Sequence, residues 1–227
     1  MSVEDLIEKS LQELQKIGVE NEISDKKQES KLIFPKYCVG KHEQEKRVSE
    51  QEARFLFVRE LEDTNNKHCF YYSVETPTKL SYKFSDKNIK NYEPQIVSVE
   101  EGGQSASVDV TLYEKGTNEF ERKHLIEFKQ GNVKTCKKDF LKLLYDMDNL
   151  CNYYINIVDR DDLSKRNTLE SIVNKFQKAI DELKEENINR IDNKSILKII
   201  LFNIKDGDKK FFKDINLKTD DTKIIEK

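Results

Sequence analysis

Apolar residues recur at helical spacing from the start of the chain. Leu6, Ile7, Leu11, Leu14 and Ile17 fall on one face of a 3.6-residue turn, and Gly18 stands where such a helix would end. A polar stretch from Glu20 to Lys31 reads as a linker. The pattern predicts a second helix from about Ser49 to Glu62. There Ser49 and Glu52 make a capping box, while Ala53, Leu56, Phe57 and Leu61 supply the apolar face.

The pattern then changes to that of strands. Cys69 to Glu75 is rich in β-formers and is expected to stop at Thr76-Pro77, with Leu80 to Phe84 as a short companion strand. The polar segment from Ser85 to Gln104, with Pro94 and Gly102-Gly103, reads as a long connection. From Ser105 to Tyr113 the alternation puts Ser105, Ser107, Asp109 and Thr111 on one face and Ala106, Val108, Val110 and Leu112 on the other. A turn near Gly116 leads to a strand from about Lys123 to Lys129, which ends at Gly131. Phe140, Leu143, Leu144, Met147 and Cys151 mark a helix, and Tyr153 to Val158 a strand. Leu169, Ile172, Val173, Phe176, Ile180 and Leu183 mark a long amphipathic helix. The nearly continuous apolar run Ile196 to Ile204 suits a central strand covered on both faces.

Helices alternating with strands in this order predict an α/β domain with a mixed central β-sheet flanked by helices. The expected organisation is an N-terminal helix and linker over residues 1–30, the α/β domain over 31–204, and a polar, peripheral C-terminal tail over 205–227.

Charged residues make up 37% of the chain, yet 40 Lys plus Arg against 43 Asp plus Glu leave a net charge of only −3. A nucleic-acid partner would therefore need a locally segregated basic surface. Cys38, Cys69, Cys136 and Cys151 are far apart with no Cys-x-x-Cys pair, which predicts free thiols in a reducing compartment. The acidic amphipathic N-terminus is not a secretory signal, and no apolar run approaches the roughly 20 residues of a membrane helix. A soluble, cytoplasmic protein is expected.

One segment carries chemistry. In Leu125-Ile126-Glu127-Phe128-Lys129 a carboxylate and an amine stand two positions apart on a mostly apolar strand, so they share one face. The Glu-x-Lys spacing recurs at Glu29 and Lys31, Glu121 and Lys123, and Glu182 and Lys184, so spacing alone separates nothing. The apolar strand, the partner strand with Asp109 on its polar face and the terminating Gly131 do. Phosphodiester hydrolysis requires a neutralised phosphate and an activated water, which a carboxylate-bound Mg²⁺ or Mn²⁺ supplies. Asp109 and Glu127 would hold the metal together with a main-chain carbonyl such as that of Phe128. Lys129 would position or help activate the water and offset developing charge.

Asp109 followed by Glu127 and Lys129, behind the helix that begins Ser49-Glu50-Gln51-Glu52, resembles the PD-(D/E)XK nuclease superfamily. The resemblance covers about Ser49 to Val158; Val108 replaces the proline of the name-giving motif. It implies a restriction-endonuclease-like core of helix, three strands, helix and strand, here with an extra N-terminal helix. It also implies a metal-dependent nuclease acting on DNA rather than RNA, with homodimers as the form in which many members cut both strands. A fourth acid on the first helix is implied as well, which selects Glu52, with Glu50 and Glu60 as rivals. The capping box is an equally good account of Glu52. The alternative function is a non-catalytic nucleic-acid-binding or protein-interaction module on the same fold, and an internal ion pair in an unrelated domain is a third reading.

Gln130, Lys134 and Lys138, with Lys137 and Lys142, are candidate substrate contacts, against the reading that they form the solvated face of a helix. Tyr71, Tyr72, Tyr153 and Tyr154 could stack on bases, or belong to the core and its rim. His42, His68 and His124 set no ligand spacing.

Overall fold

A computed structural model describes residues 2–20, 32–34, 36–38, 44–46, 49–64, 70–84, 93–131, 133–146, 150–159, 166–187, 195–217, 219 and 221–226. The elements are α1 (Val3–Glu20), β1 (Lys36–Cys38), β2 (Gln44–Lys46), α2 (Glu50–Thr64), β3 (Tyr71–Lys83), β4 (Gln95–Ile96), β5 (Gln104–Lys115) and β6 (Phe120–Gln130). After a 3₁₀ turn (Val133–Thr135) come α3 (Cys136–Tyr145), β7 (Cys151–Val158), α4 (Arg166–Glu186), β8 (Ile196–Asn203), β9 (Lys209–Phe211) and β10 (Ile215–Asn216).

The fold is α/β, built on a mixed sheet in the order β10-β8-β7-β6-β5-β3-β4, with β9 also paired to β8; β1 and β2 form a separate hairpin. β6, β7 and β8 run parallel, and α3 and α4 are their crossovers. β3, β5 and β6 pair antiparallel. The sheet thus changes sense at β6.

Each face of the sheet is covered by two helices. Leu6, Ile7, Leu11 and Leu14 of α1 and Ala53, Leu56 and Phe57 of α2 pack on Val110, Leu112, Ile126, Phe128 and Ile155. On the other face Phe140 and Leu144 of α3 and Phe176 and Ile180 of α4 pack on Leu125, Tyr154, Leu197 and Ile199. The α1 helix is therefore part of the main core, not an appendage. Glu4 also fastens it to the sheet, accepting from Tyr153 Oη at 3.0 Å and pairing with Lys198.

Three expectations change. Thr76-Pro77 does not end a strand: β3 runs through it, Pro77 lies opposite Ser107, and the ladder shifts register between Pro77 and Ser81. A proline is tolerated there because an irregular ladder does not need every N–H. Residues 205–227 are not a peripheral tail: β9 and β10 pair with β8, and Phe212, Ile215, Leu217 and Ile224 are buried in the α3–α4 core. Few but well-spaced apolar residues suffice to seat a polar segment. The α3 helix ends at Tyr145, so Cys151 belongs to β7; Met147 lies outside the described residues.

The alternation along β5 breaks at Asp109. Val110 and Leu112 face α1 and α2, whereas Val108 packs in the α3–α4 core. On the neighbouring strand Glu75 has φ 48°, and the β3–β5 pairing skips Glu75 and Asp109 while keeping its register on either side. A left-handed residue in one strand and a face change in the next mark the place where β5 turns away from β6.

Candidate active site at the strand fork

The β5–β6 ladder runs from Lys115 and Phe120 to Val110 and Ile126, so the next residues on the two strands are Asp109 and Glu127. There the backbone pairing is replaced by a side chain: the Phe128 N–H donates to Asp109 Oδ2 at 2.8 Å. β6 continues beyond the fork on β7, with Glu127 opposite Tyr154 and Lys129 opposite Asn156. Two acids are thereby placed side by side where the strands separate.

Both helical layers contribute. From α2, Arg54 Nη1 lies 3.5 Å from Asp109 Oδ1 and also pairs with Glu75, while Glu50 Oε2 lies 3.3 Å from Lys129 Nζ. From α3, the Lys142 ammonium pairs with Glu127, donates to the Ser107 carbonyl at 2.8 Å and lies 3.3 Å from Asp139 Oδ1. Glu127, Asp139 and Lys142 are all buried.

Burial dominates the electrostatics. It pushes the Asp109 carboxyl up to about 6, against the Phe128 N–H and Arg54, which favour the ionised form. The Glu127 carboxyl is driven well above the usual range by burial, with Asp139 and Asp109 adding repulsion and Lys142 opposing it. Burial acts to lower the Lys129 amine, but Asp139, Glu50 and Glu127 outweigh it and raise the group, so Lys129 is an ammonium at neutral pH. Buried neighbouring acids with raised pKa values are a common property of sites that receive a cation or a proton.

The positions predicted from sequence separate into those brought together and those kept apart. Asp109, Glu127 and Lys129 meet at the fork, and the Phe128 main chain joins them through its N–H. Glu52 does not reach it: its carboxylate accepts from the Ser49 N–H at 2.9 Å and from the Ser49 hydroxyl, closing the capping box. Glu60 lies 3.7 Å from Arg59 on the same helix. Glu50 is the α2 acid that faces the site. Each residue turns an α-helix by about 100°, so the two steps from Glu52 back to Glu50 carry the carboxylate to a different side.

Gln130, half-buried, ends β6 opposite Ile157. Lys138 is half-buried and lines a 450 Å³ groove with Phe84, Pro94, Lys175 and Lys178. The Lys134 side chain, like His42 and His68, lies outside the described residues. Lys137 is taken by Glu93, Glu182 and Glu186, all within 2.9 Å, and Lys142 by Glu127. Tyr153 and Tyr154 are core residues; Tyr71 is exposed beside Phe120, with ring centroids 4.6 Å apart. His124 is held by the Cys151 carbonyl at 2.6 Å.

Sequence reasoning missed Arg54, Asp139 and Asp146. Asp146, at the end of α3, accepts from the Lys79 and Leu80 N–H groups at 3.1 and 2.9 Å and from Tyr82 Oη at 3.1 Å, with Arg122 3.4 Å away. It ties the irregular part of β3 to the α3 layer. A carboxylate at the end of a helix, where the macrodipole disfavours it, was the available signal.

Among the described residues no group of three or more His, Cys, Asp and Glu stands together as a metal cage. Mg²⁺ does not require one, since it is commonly held by one or two carboxylates with water and substrate phosphate oxygens. Asp109 and Glu127 are hard oxygen donors of that number.

No family model and no curated protein matches this sequence. Among solved structures, the central domain of yeast acetyl-CoA carboxylase is similar at 12% identity with a TM-score of 0.36, over 94% of this chain and 33% of that one. This chain thus spans about a third of that neighbour's length, and a likeness of that degree bears on neither fold nor function. No helix among the described residues is long and apolar enough to cross a membrane.

Proposed function

We propose that the protein is a Mg²⁺-dependent nuclease that hydrolyses phosphodiester bonds, in DNA rather than RNA, on a restriction-endonuclease-like core. The observation that carries this reading is the fork: Asp109 and Glu127 follow the last β5–β6 pair, with Lys129 on the Glu127 face of the strand. With the two-residue β4 set aside, the order α2, β3, β5, β6, α3, β7 supports it as the order the resemblance implies.

Asp109 and Glu127 would hold the ion, which supplies charge neutralisation and an activated water. Phe128 fixes Asp109 through its N–H and offers its carbonyl between the two motif residues. Lys129, kept as an ammonium and steadied by Glu50, stabilises negative charge on the phosphate rather than accepting a proton. Gln130 and Lys138 are candidate contacts to the flanking nucleic acid.

A second reading, a non-catalytic nucleic-acid-binding or protein-interaction module, draws on a specific observation: Glu127 is already neutralised by Lys142. Incubation of purified protein with plasmid, linear and single-stranded DNA and with RNA, in Mg²⁺ or Mn²⁺, separates the two. The nuclease reading predicts metal-dependent cleavage that Glu127→Gln abolishes without unfolding the protein. Cleavage that persists in the variant, or none on any substrate, contradicts it.

A further inference from the structure

Lys142 sits where a divalent cation would be attracted. Its ammonium holds Glu127, donates to the Ser107 carbonyl at 2.8 Å and reaches Asp139 Oδ1 at 3.3 Å, which occupies its three donors. A second positive charge on Glu127 would stand beside this ammonium in a buried site, where repulsion is poorly screened. Either the ion is excluded or the lysine yields.

The structure contains an acceptor for a lysine that yields. Asp139 is 2% exposed, and its Oδ2 has no hydrogen-bond partner. An orphaned carboxylate oxygen at that depth is costly to leave unmet. Asp139 lies three residues before Lys142 on α3, on the same face of the helix, so the ammonium can pass from one carboxylate to the other by side-chain rotation alone. Ser107, the remaining acceptor, is a backbone carbonyl and stays in place.

We propose that Lys142 is a resident counter-cation competing with the divalent ion for Glu127, and that Asp139 is the acceptor to which its ammonium withdraws when the ion binds. This rests on the metal-site reading above. Lys142 and Asp139 are positioning residues in it, acting through Glu127. The open oxygen of Asp139 is the counterpart of the occupied oxygen of Glu127.

The test follows the lysine ammonium groups of ¹⁵N-lysine-labelled full-length protein by NMR during a Mg²⁺ titration, with binding measured in parallel by calorimetry. The Lys142 signal is identified by its loss in Lys142→Met. The expected result is a shift of that signal with the calorimetric midpoint. In Asp139→Asn, whose fold is checked by circular dichroism, Mg²⁺ affinity should fall about tenfold, the scale typical of lost support around a metal ligand. Calorimetric binding with a stationary Lys142 signal overturns the exchange while leaving the metal site standing. A shift in wild type with unchanged affinity in Asp139→Asn overturns the role of Asp139. Absence of any binding heat or shift removes the metal site and this inference with it.

Discussion

Asp109 accepts the backbone N–H of Phe128 at 2.8 Å, a side chain standing in for the ladder bond at the point where β5 leaves β6. That bond fixes the fork, and the fork sets the acid of one strand beside the Glu-x-Lys of the other. The bond and Arg54 both favour the ionised carboxylate, yet burial outweighs them and raises the Asp109 carboxyl to about 6.

Glu50 and Glu52, the acids in the first turn of α2, should respond differently to substitution. Glu52→Ala opens the capping box and is expected to cost about 1 kcal/mol in urea denaturation. Glu50→Ala removes the pair with Lys129, 40% exposed on the Glu50 side, and a negative charge near Asp109, and should change stability by less than about 0.5 kcal/mol. Its effect should fall on cleavage, and an equal stability loss in both variants would contradict the division.

Asp146→Ala removes the carboxylate that accepts from the Lys79 and Leu80 N–H groups and the Tyr82 hydroxyl and that pairs with Arg122, which keeps its bond to the Pro77 carbonyl. A loss of about 3 to 5 kcal/mol is expected from removing one member of such a buried network. Chemical denaturation measures it; a loss below 1 kcal/mol would show that β3 holds its irregular course without this tie.

Leu14 is wholly buried against the α2 side of the sheet. If α1 belongs to the core, Leu14→Ala should destabilise the whole domain by about 2 to 5 kcal/mol in a single transition. Separate early melting of α1, seen by circular dichroism with the rest unchanged, would speak against it.

The Glu4 pair adds a pH dependence. Burial disfavours the ionised carboxyl, but Lys198, its own backbone and Tyr153 outweigh this and hold it down at about 2, below the ordinary 4.5. The stability it contributes is therefore complete above about pH 4.5 and is lost as pH falls from there toward 2. Because both partners remain partly exposed, Glu4→Gln should cost no more than about 1 kcal/mol at pH 7. Thermal melts should show the gap between variant and wild type narrowing below pH 4.5, and a gap that widens on acidification would reverse the assignment.

Much of this architecture is legible in the sequence because it depends on local periodicity. The apolar faces Leu6 to Ile17, Ala53 to Leu61 and Leu169 to Leu183 mark α1, α2 and α4, and the run Ile196 to Ile204 marks β8. What local periodicity does not carry is the meeting of distant segments. Val108 and Val110 obey one alternation in sequence but face opposite cores, because β5 changes direction where Glu75 takes a left-handed backbone. Glu50 and Glu52 differ only in which way the helix start is turned relative to the fork. Lys142 reads as one of several solvated lysines on α3, yet its chain is long enough to bury an ammonium against Glu127.

Diffraction from crystals soaked in Mn²⁺, with the ion located by its anomalous scattering, tests the site most directly. One strong peak is expected at the fork within about 2.1 to 2.3 Å of both the Asp109 and the Glu127 carboxylates. A fork with no peak at millimolar Mn²⁺, its Glu127 still bound to Lys142, would contradict it.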